Sequence, residues 1–304
     1  MTVRHFVSMT SITPDEMRML LDRAAALKDR RAPSQALAGK TVAMIFEKPS
    51  TRTRVSFQVA IAELGAHPLA LSAAELQLGR GETVADTGRV LGRYVHGIVV
   101  RTFGQERVDE LAATAGIPVV NALTDHEHPC QALADLLTIR ERFGSLAGRS
   151  LAYVGDGNNV AHSLLLAGAM AGMRVTVATP PGYEPDESVV DRATEIASAT
   201  GGAIETGNDP VPLVSGADAV YTDVWASMGQ EEEQAERVRA FAGFQVDEAM
   251  MSGAKPEAIA LHCLPAHRGE EISAGVLDGP QSEVWDQAEN RLHVQKALLE
   301  WLLG

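Results

Sequence analysis

Short apolar runs alternate with amphipathic stretches along most of this chain. Thr41-Val-Ala-Met-Ile-Phe46 is apolar and reads as a strand, after which Val55, Phe57, Val59, Ile61 and Leu64 recur at helical spacing up to Gly65. Ile98-Val-Val100 and Pro118-Val-Val120 repeat the strand signal, as expected of a parallel sheet covered by helices. A second series begins near Arg149, with strand candidates at 151–154, 174–178, 219–222 and 258–262 and helical segments between them. The pattern predicts an α/β chain of two domains, each with a mainly parallel sheet flanked by helices. The first spans 1–143 and the second 144–284. Their junction is expected after the helix from Cys130 to Phe143, at Gly144-Ser-Leu-Ala-Gly148, where the apolar pattern stops and restarts. Residues 285–304 carry a last amphipathic helix, expected to pack back on the first domain.

Composition narrows the function classes. With 304 residues, 45% hydrophobic and 22% charged, the chain has the make-up of an ordinary globular protein with room for two cores. Lys+Arg 26 against Asp+Glu 40 gives a net charge of −14, which disfavours a broad nucleic-acid or anionic-membrane surface. An arginine cluster in such an acidic chain is therefore pointed. The first residues lack the basic-then-apolar order of a signal peptide, and no apolar run approaches the ~20 residues of a membrane span. A cytoplasmic location is expected. Cys130 and Cys263, the only 2 cysteines, are far apart and each lies within two residues of a His and a Pro, which argues for free thiols.

That arginine cluster is Ser50-Thr51-Arg52-Thr53-Arg54, directly after Pro49, where the first strand feeds a helix. Ser50 stands near the N-cap. Free backbone N–H groups, the helix dipole and the arginine fork all favour a phosphate dianion there. The plain alternative is a capped helix with two solvated arginines. His128-Pro129-Cys130-Gln131 opens another helix after a strand, with Pro129 at the first helical position. Positive potential at that end would keep His128 neutral and able to donate to a carbonyl oxygen, with Gln131 one turn in. A capping histidine beside a buried cysteine is an equal reading. Arg101 closes the run from Gly97, and ligands of open α/β sheets bind at the carboxyl ends of strands. Ser50, Arg101 and His128 would all occupy such positions in one sheet.

The second half carries three strand-end motifs. Gly155-Asp-Gly157-Asn158-Asn159-Val160 resembles a dinucleotide turn, but its third glycine position holds Val160 and no clear acidic ribose ligand follows 178. A loop offering the amides of Asn158 and Asn159 to a small polar ligand is preferred, with a mere tight turn as the alternative. Asp223-Val-Trp-Ala-Ser227-Met228-Gly229 puts a carboxylate at a strand tip, where it could hold an ammonium group. His262-Cys263-Leu264-Pro265 puts a thiol at another. Singly, a structural Asp and a buried Cys are the better readings. Together in one cleft they form an acid/thiol pair suited to orienting an amine nucleophile.

Taken in order, Ser50-Thr-Arg-Thr-Arg54, His128-Pro-Cys-Gln131, Asp223-Val-Trp-Ala-Ser-Met-Gly229 and His262-Cys-Leu-Pro265 resemble the aspartate/ornithine carbamoyltransferase family, the later two on its ornithine-using side. The resemblance spans almost the whole chain. It implies a carbamoyl-phosphate domain and an ornithine domain with the active site between them, commonly in a homotrimer. It implies transfer of the carbamoyl group of carbamoyl phosphate to the δ-amine of L-ornithine, giving L-citrulline and phosphate, within arginine metabolism. Carbamoyl phosphate would be bound by Ser50, Thr51, Arg52, Thr53, Arg101, His128, Pro129, Cys130, Gln131, Cys263, Leu264 and Arg291. Gln77 would reach in from a neighbouring subunit. Ornithine would be bound by Asn159, Asp223, Ser227 and Met228, with the Ser227 to Gly229 loop closing over it. Arg101, His128, Asp223 and Cys263 would carry the chemistry, with neither metal nor cofactor implied. The alternatives are a carbamoyltransferase for another amine such as putrescine, a nicotinamide-dependent oxidoreductase, and a non-catalytic anion-binding protein.

Overall fold

A computed structural model of the chain describes residues 3–29, 33–72, 76–226 and 234–304. The chain divides into two compact units, Met1–Ala134 with Asn290–Gly304, and Asp135–Glu289.

In the first unit α1 (Pro14–Asp29) precedes β1 (Thr41–Phe46), α2 (Thr51–Glu63), β2 (His67–Ser72), α3 (Val84–Tyr94), β3 (Gly97–Arg101), α4 (Gln105–Ala115), β4 (Val119–Leu123) and the start of α5 (Pro129–Phe143). The four strands pair in parallel in the order β2-β1-β3-β4. β1 and β3 are apolar but for Thr41 and Arg101 because both faces of these central strands are covered: Ala43, Ile45, Ile98 and Val100 pack with Val108, Leu111 and Val119. Each such fully buried aliphatic side chain contributes about 1.5–3 kcal/mol relative to exposure. Register shifts between Val100 and Arg101, where Arg101 pairs with Leu123. This irregularity bends the strand ends just where Arg101 stands. Phe6 adds a bridge outside β4, donating its N–H to Val119 O at 2.8 Å and accepting from Asn121 N at 2.8 Å.

The second unit continues from α5 through β5 (Ser150–Val154), α6 (Asn159–Met170), β6 (Arg174–Ala178), α7 (Glu187–Thr200), β7 (Ala203–Gly207), α8 (Pro210–Val214) and β8 (Ala219–Thr222). There follow α9 (Gln234–Ala240), α10 (Glu248–Gly253), β9 (Ile259–His262), α11 (Ala274–Leu277) and α12 (Val284–Leu303), whose end returns to the first unit. Five parallel strands lie in the order β7-β6-β5-β8-β9. Ala152, Val154, Val220 and Ala260 form part of its core with Trp225, Phe241 and Phe244. Phe241 stacks on Trp225 at 5.5 Å between ring centroids, which fixes the chain beyond the β8 tip. Among the described residues no helix is long and apolar enough to cross a membrane.

Candidate active site

In the first sheet the strand order reverses between neighbours β1 and β3, β1 running on to β2 on one side and β3 to β4 on the other. A crevice at the carboxyl ends of such strands is the usual ligand position of open α/β sheets. Ser50 caps α2 there, its hydroxyl accepting from Thr53 N at 3.2 Å. Thr51 and Arg52 are exposed on the first turn, whereas Thr53 is fully buried. Thr53 Oγ1 accepts from Arg291 Nη2 at 2.7 Å and from Arg101 Nη1 at 3.4 Å. Both arginines are themselves buried. Two guanidinium groups converging on one hydroxyl repel each other, and an anion accepting from both forks relieves that repulsion.

His128 is buried immediately before Pro129, the first residue of α5. Burial holds its imidazole well below the usual histidine range, and the charges of Arg291 and Arg101 push the same way. Burial first, and the two arginines after it, favour the neutral imidazole expected there. Cys130 is turned inward, its thiol donating to Asn121 O at 3.3 Å and pushed up by burial to about 12. Cys130 can therefore serve a ligand only through its backbone. Gln131 is buried one turn into α5. Gln77 is exposed at the start of a short 3-10 turn, Gln77–Arg80. The loop carrying His128 is tied down by Glu127, whose carboxylate accepts from Ser8 Oγ at 2.6 Å and Met9 N at 2.9 Å.

The second sheet reverses its order between β5 and β8. Beyond β5 the chain turns at Gly155, with φ 151°, and a Cβ on Gly157 would stand 2.3 Å from Pro185 N, so only glycine fits. This turn delivers Asn158 to the N-cap of α6, where its Oδ1 accepts from Val160 N at 2.9 Å and Ala161 N at 3.3 Å. With the oxygen so occupied, Asn158 Nδ2 points to Asp223 and donates to Oδ2 at 3.0 Å. Asn159 is the first residue of α6. Asp223, just past β8, is buried, and its Oδ1 accepts from Cys263 Sγ at 2.9 Å. The phenols of Tyr153 and Tyr221 lie under this pair, both held well above the usual range, first by burial and also by Asp223.

Leu264 has φ 58°, a left-handed conformation unusual for a branched residue. Its N–H donates to His262 Nδ1 at 2.8 Å, which leaves the ring proton on Nε2 to meet Glu271 Oε1 at 3.1 Å. Cys263 thus sits between two fastened neighbours. Asp223, His262 and Cys263 each offer a ligand atom within 4.8 Å of the others, as do His267, Glu270 and Glu271. In the first set the thiol and both imidazole nitrogens are already engaged in hydrogen bonds, so it reads as a polar network. Ser227 and Met228 lie outside the described residues.

Glu271 and Gln287 are not singled out by the sequence, and Asn158, expected to offer an amide to a ligand, gives its Nδ2 to Asp223. Only Asn158 left a signal, its place at a helix start after Gly-x-Gly. Glu271 and Gln287 are ordinary polar residues in sequence and gain meaning only from what they touch.

Two parallel sheets, one with buried arginines and a histidine and the other with a carboxylate–thiol pair at its strand ends, define an α/β enzyme of two domains. Residues 4–141 match the "Aspartate/ornithine carbamoyltransferase, carbamoyl-P binding domain" and 147–302 the "Aspartate/ornithine carbamoyltransferase, Asp/Orn binding domain". The chain belongs to the aspartate/ornithine carbamoyltransferase family. It is 60% identical over 307 residues to an ornithine carbamoyltransferase of Parafrankia sp. (strain EAN1pec), covering 100% of this chain and 97% of that one. It is 62% identical over 302 residues to an ornithine carbamoyltransferase of Acidothermus cellulolyticus, covering 99% and 97%. The solved ornithine carbamoyltransferase from Pyrococcus furiosus superposes with a TM-score of 0.96 at 53% identity, over 99% of this chain and 97% of that one.

Proposed function

We infer that the chain transfers the carbamoyl group of carbamoyl phosphate to the δ-amine of L-ornithine, giving L-citrulline and phosphate. The observation that carries this reading is the convergence of Arg101 and Arg291 on Thr53 Oγ1, with a neutral His128 in their field, in the unit that matches a carbamoyl-phosphate domain. The arginines grip the phosphate and stabilise the charge that collects on it as the C–O bond breaks. Arg52, Thr53 or His128 donates to the carbamoyl oxygen as it becomes an oxyanion. Ser50, Thr51, Pro129, Cys130 and Gln131 complete the phosphate side, the last three through the start of α5.

On the amine side, Asp223, Asn159, Ser227 and Met228 hold ornithine, and Cys263 and Leu264 contact the carbamoyl group. The new N–C bond forms as the nitrogen attacks the carbamoyl carbon, phosphate leaves, and the nitrogen gives up one proton. A primary ammonium titrates near ~10.4, so presenting the free amine at neutral pH costs about 4–5 kcal/mol. The buried Asp223 carboxylate and its thiol partner Cys263 are placed to take up the proton that the nitrogen gives up. The chemistry is polar throughout and calls for no redox group.

The working form in this reading is a homotrimer, with Gln77 of each subunit serving a neighbour's site; the exposure of Gln77 supports this. Carbamoyl phosphate enters first and ornithine second. Two free thiols, Cys130 and Cys263, suit the reducing cytoplasm. Incubation with carbamoyl phosphate and, separately, ornithine, putrescine or aspartate tests the reading. Citrulline from ornithine with little product from the other two amines supports it. Carbamoyl-putrescine or carbamoyl-aspartate as the main product refutes it.

A further inference from the structure

The buried side chain of Gln287, on the first turns of α12, meets both strands that carry the amine-side pair. Its Oε1 accepts from the backbone N–H of His262, the residue before Cys263, at 2.9 Å. Its Nε2 donates to Tyr221 OH, two residues before Asp223, at 3.1 Å. The same nitrogen donates to Asp135 Oδ1, on α5, at 2.7 Å. The His262 N–H can only donate, so it takes the Gln287 oxygen and leaves the amide nitrogen to the fully buried Asp135. β8 and β9 are paired with Thr222 opposite His262, so Gln287 fastens the two strands at the last rungs before Asp223 and Cys263.

We propose that Gln287 is a positioning residue that holds the β8 and β9 tips so that the Cys263 thiol stays on Asp223. It touches neither substrate. Without it the His262 N–H is left buried without an acceptor, and the tip can relieve that only by moving, which carries Cys263 with it. The thiol–carboxylate contact of 2.9 Å then opens, and both the proton affinity of the thiol and the hold on the amine change. The proposal rests on the reading of Asp223 and Cys263 as the amine side of a carbamoyltransferase.

The test exploits the cysteine count. Of the 2 cysteines, Cys130 is buried and Cys263 partly exposed, so iodoacetamide reports Cys263 alone, with the alkylated peptide identified by mass. The rate of alkylation of the full chain is followed against pH for the wild type, Gln287→Met and Asp135→Asn. The proposal predicts a displaced alkylation profile in Gln287→Met, and a fall of about tenfold in kcat/KM for ornithine, the loss expected when a buried hydrogen bond opens. The KM for carbamoyl phosphate stays within about twofold, a difference too small to count as a lost hydrogen bond. Asp135→Asn still offers an oxygen to Gln287 Nε2 while the His262 N–H holds the Gln287 oxygen, so this variant keeps the amide orientation and the wild-type profile; Gln287→Leu serves if Gln287→Met does not fold. A lowered melting temperature with a wild-type alkylation profile in Gln287→Met, or in Gln287→Leu where that is used, gives Gln287 a packing role only and overturns the proposal. Absence of citrulline from the wild type would instead overturn the transferase reading, and the thiol comparison separates the two failures.

Discussion

Cys263 donates its thiol to Asp223 Oδ1 across 2.9 Å, while Asn158 donates to the other oxygen of the same carboxylate at 3.0 Å. The carboxylate is thus fixed at both oxygens before any substrate arrives, and a cationic amine approaching it finds a rigid acceptor rather than a rotor. Removing the thiol frees one oxygen and takes away a proton-bearing group. Cys263→Ala is expected to lower turnover by about tenfold or more and to shift the pH optimum, as loss of an acid/base partner does. A pH–rate profile identical to that of the wild type removes Cys263 from the acid/base account.

Thr53 is the shared acceptor of two buried arginines, so Thr53→Val keeps its shape and deletes that acceptor. Hydrogen bonds to charged groups are worth about 1.5–3 kcal/mol, which sets an expected rise of roughly tenfold or more in KM for carbamoyl phosphate. The KM for ornithine should move much less. Initial-rate kinetics with each substrate varied in turn checks this, and equal changes in both would contradict it.

His128 gives a stability prediction with a definite sign. Its folded pKa is depressed, so below about pH 6.5 the unfolded chain binds a proton that the folded chain refuses. The stabilisation is complete above the unfolded pKa and is lost as pH falls below it toward the folded pKa. His128→Gln should flatten the fall in melting temperature between pH 7 and 5, an interval of roughly one unit or more around the ordinary histidine value. In the wild type, histidine NMR should show the His128 ring still neutral near pH 6, where an unperturbed ring titrating near ~6.5 is mostly protonated.

Which of these features could be read in the chain follows from burial. β1, β3, β4, β5, β6, β8 and β9 announce themselves because, whether central or, like β4 and β9, at a covered edge, they are mostly buried and read as apolar runs. β2 and β7 do not. They are the exposed edge strands His67–Ser72 and Ala203–Gly207, with mixed sequences that carry no run. Ser50 as a helix cap was legible because capping is local. The bond from Arg291 to Thr53 joins residues 238 positions apart, and no spacing rule reaches that far. Family resemblance alone pointed to Arg291. Tertiary packing also decides between equal local readings, as when it turns Cys130 inward onto Asn121 O while its neighbour His128 stays neutral between arginines.

Lys296 is fully buried on α12, with its Nζ 2.8 Å from Glu63 Oε2. Removing Glu63 strands a fully buried cation, whereas removing Lys296 strands a carboxylate that keeps 20% of its side chain open to water. Glu63→Ala should therefore destabilise by about 3 kcal/mol and Lys296→Met by clearly less. Chemical denaturation of both variants decides it, and the reverse order would contradict the account.

The most direct measurement of the central claim follows the atoms. With carbamoyl phosphate labelled in its carbonyl carbon and ornithine labelled in its δ-nitrogen, NMR of the product should show a one-bond carbon–nitrogen coupling and one phosphate released per citrulline formed. Release of phosphate with the labelled carbon going to carbamate and carbon dioxide, or a carbon attached to the α-nitrogen, would contradict transfer to the δ-amine.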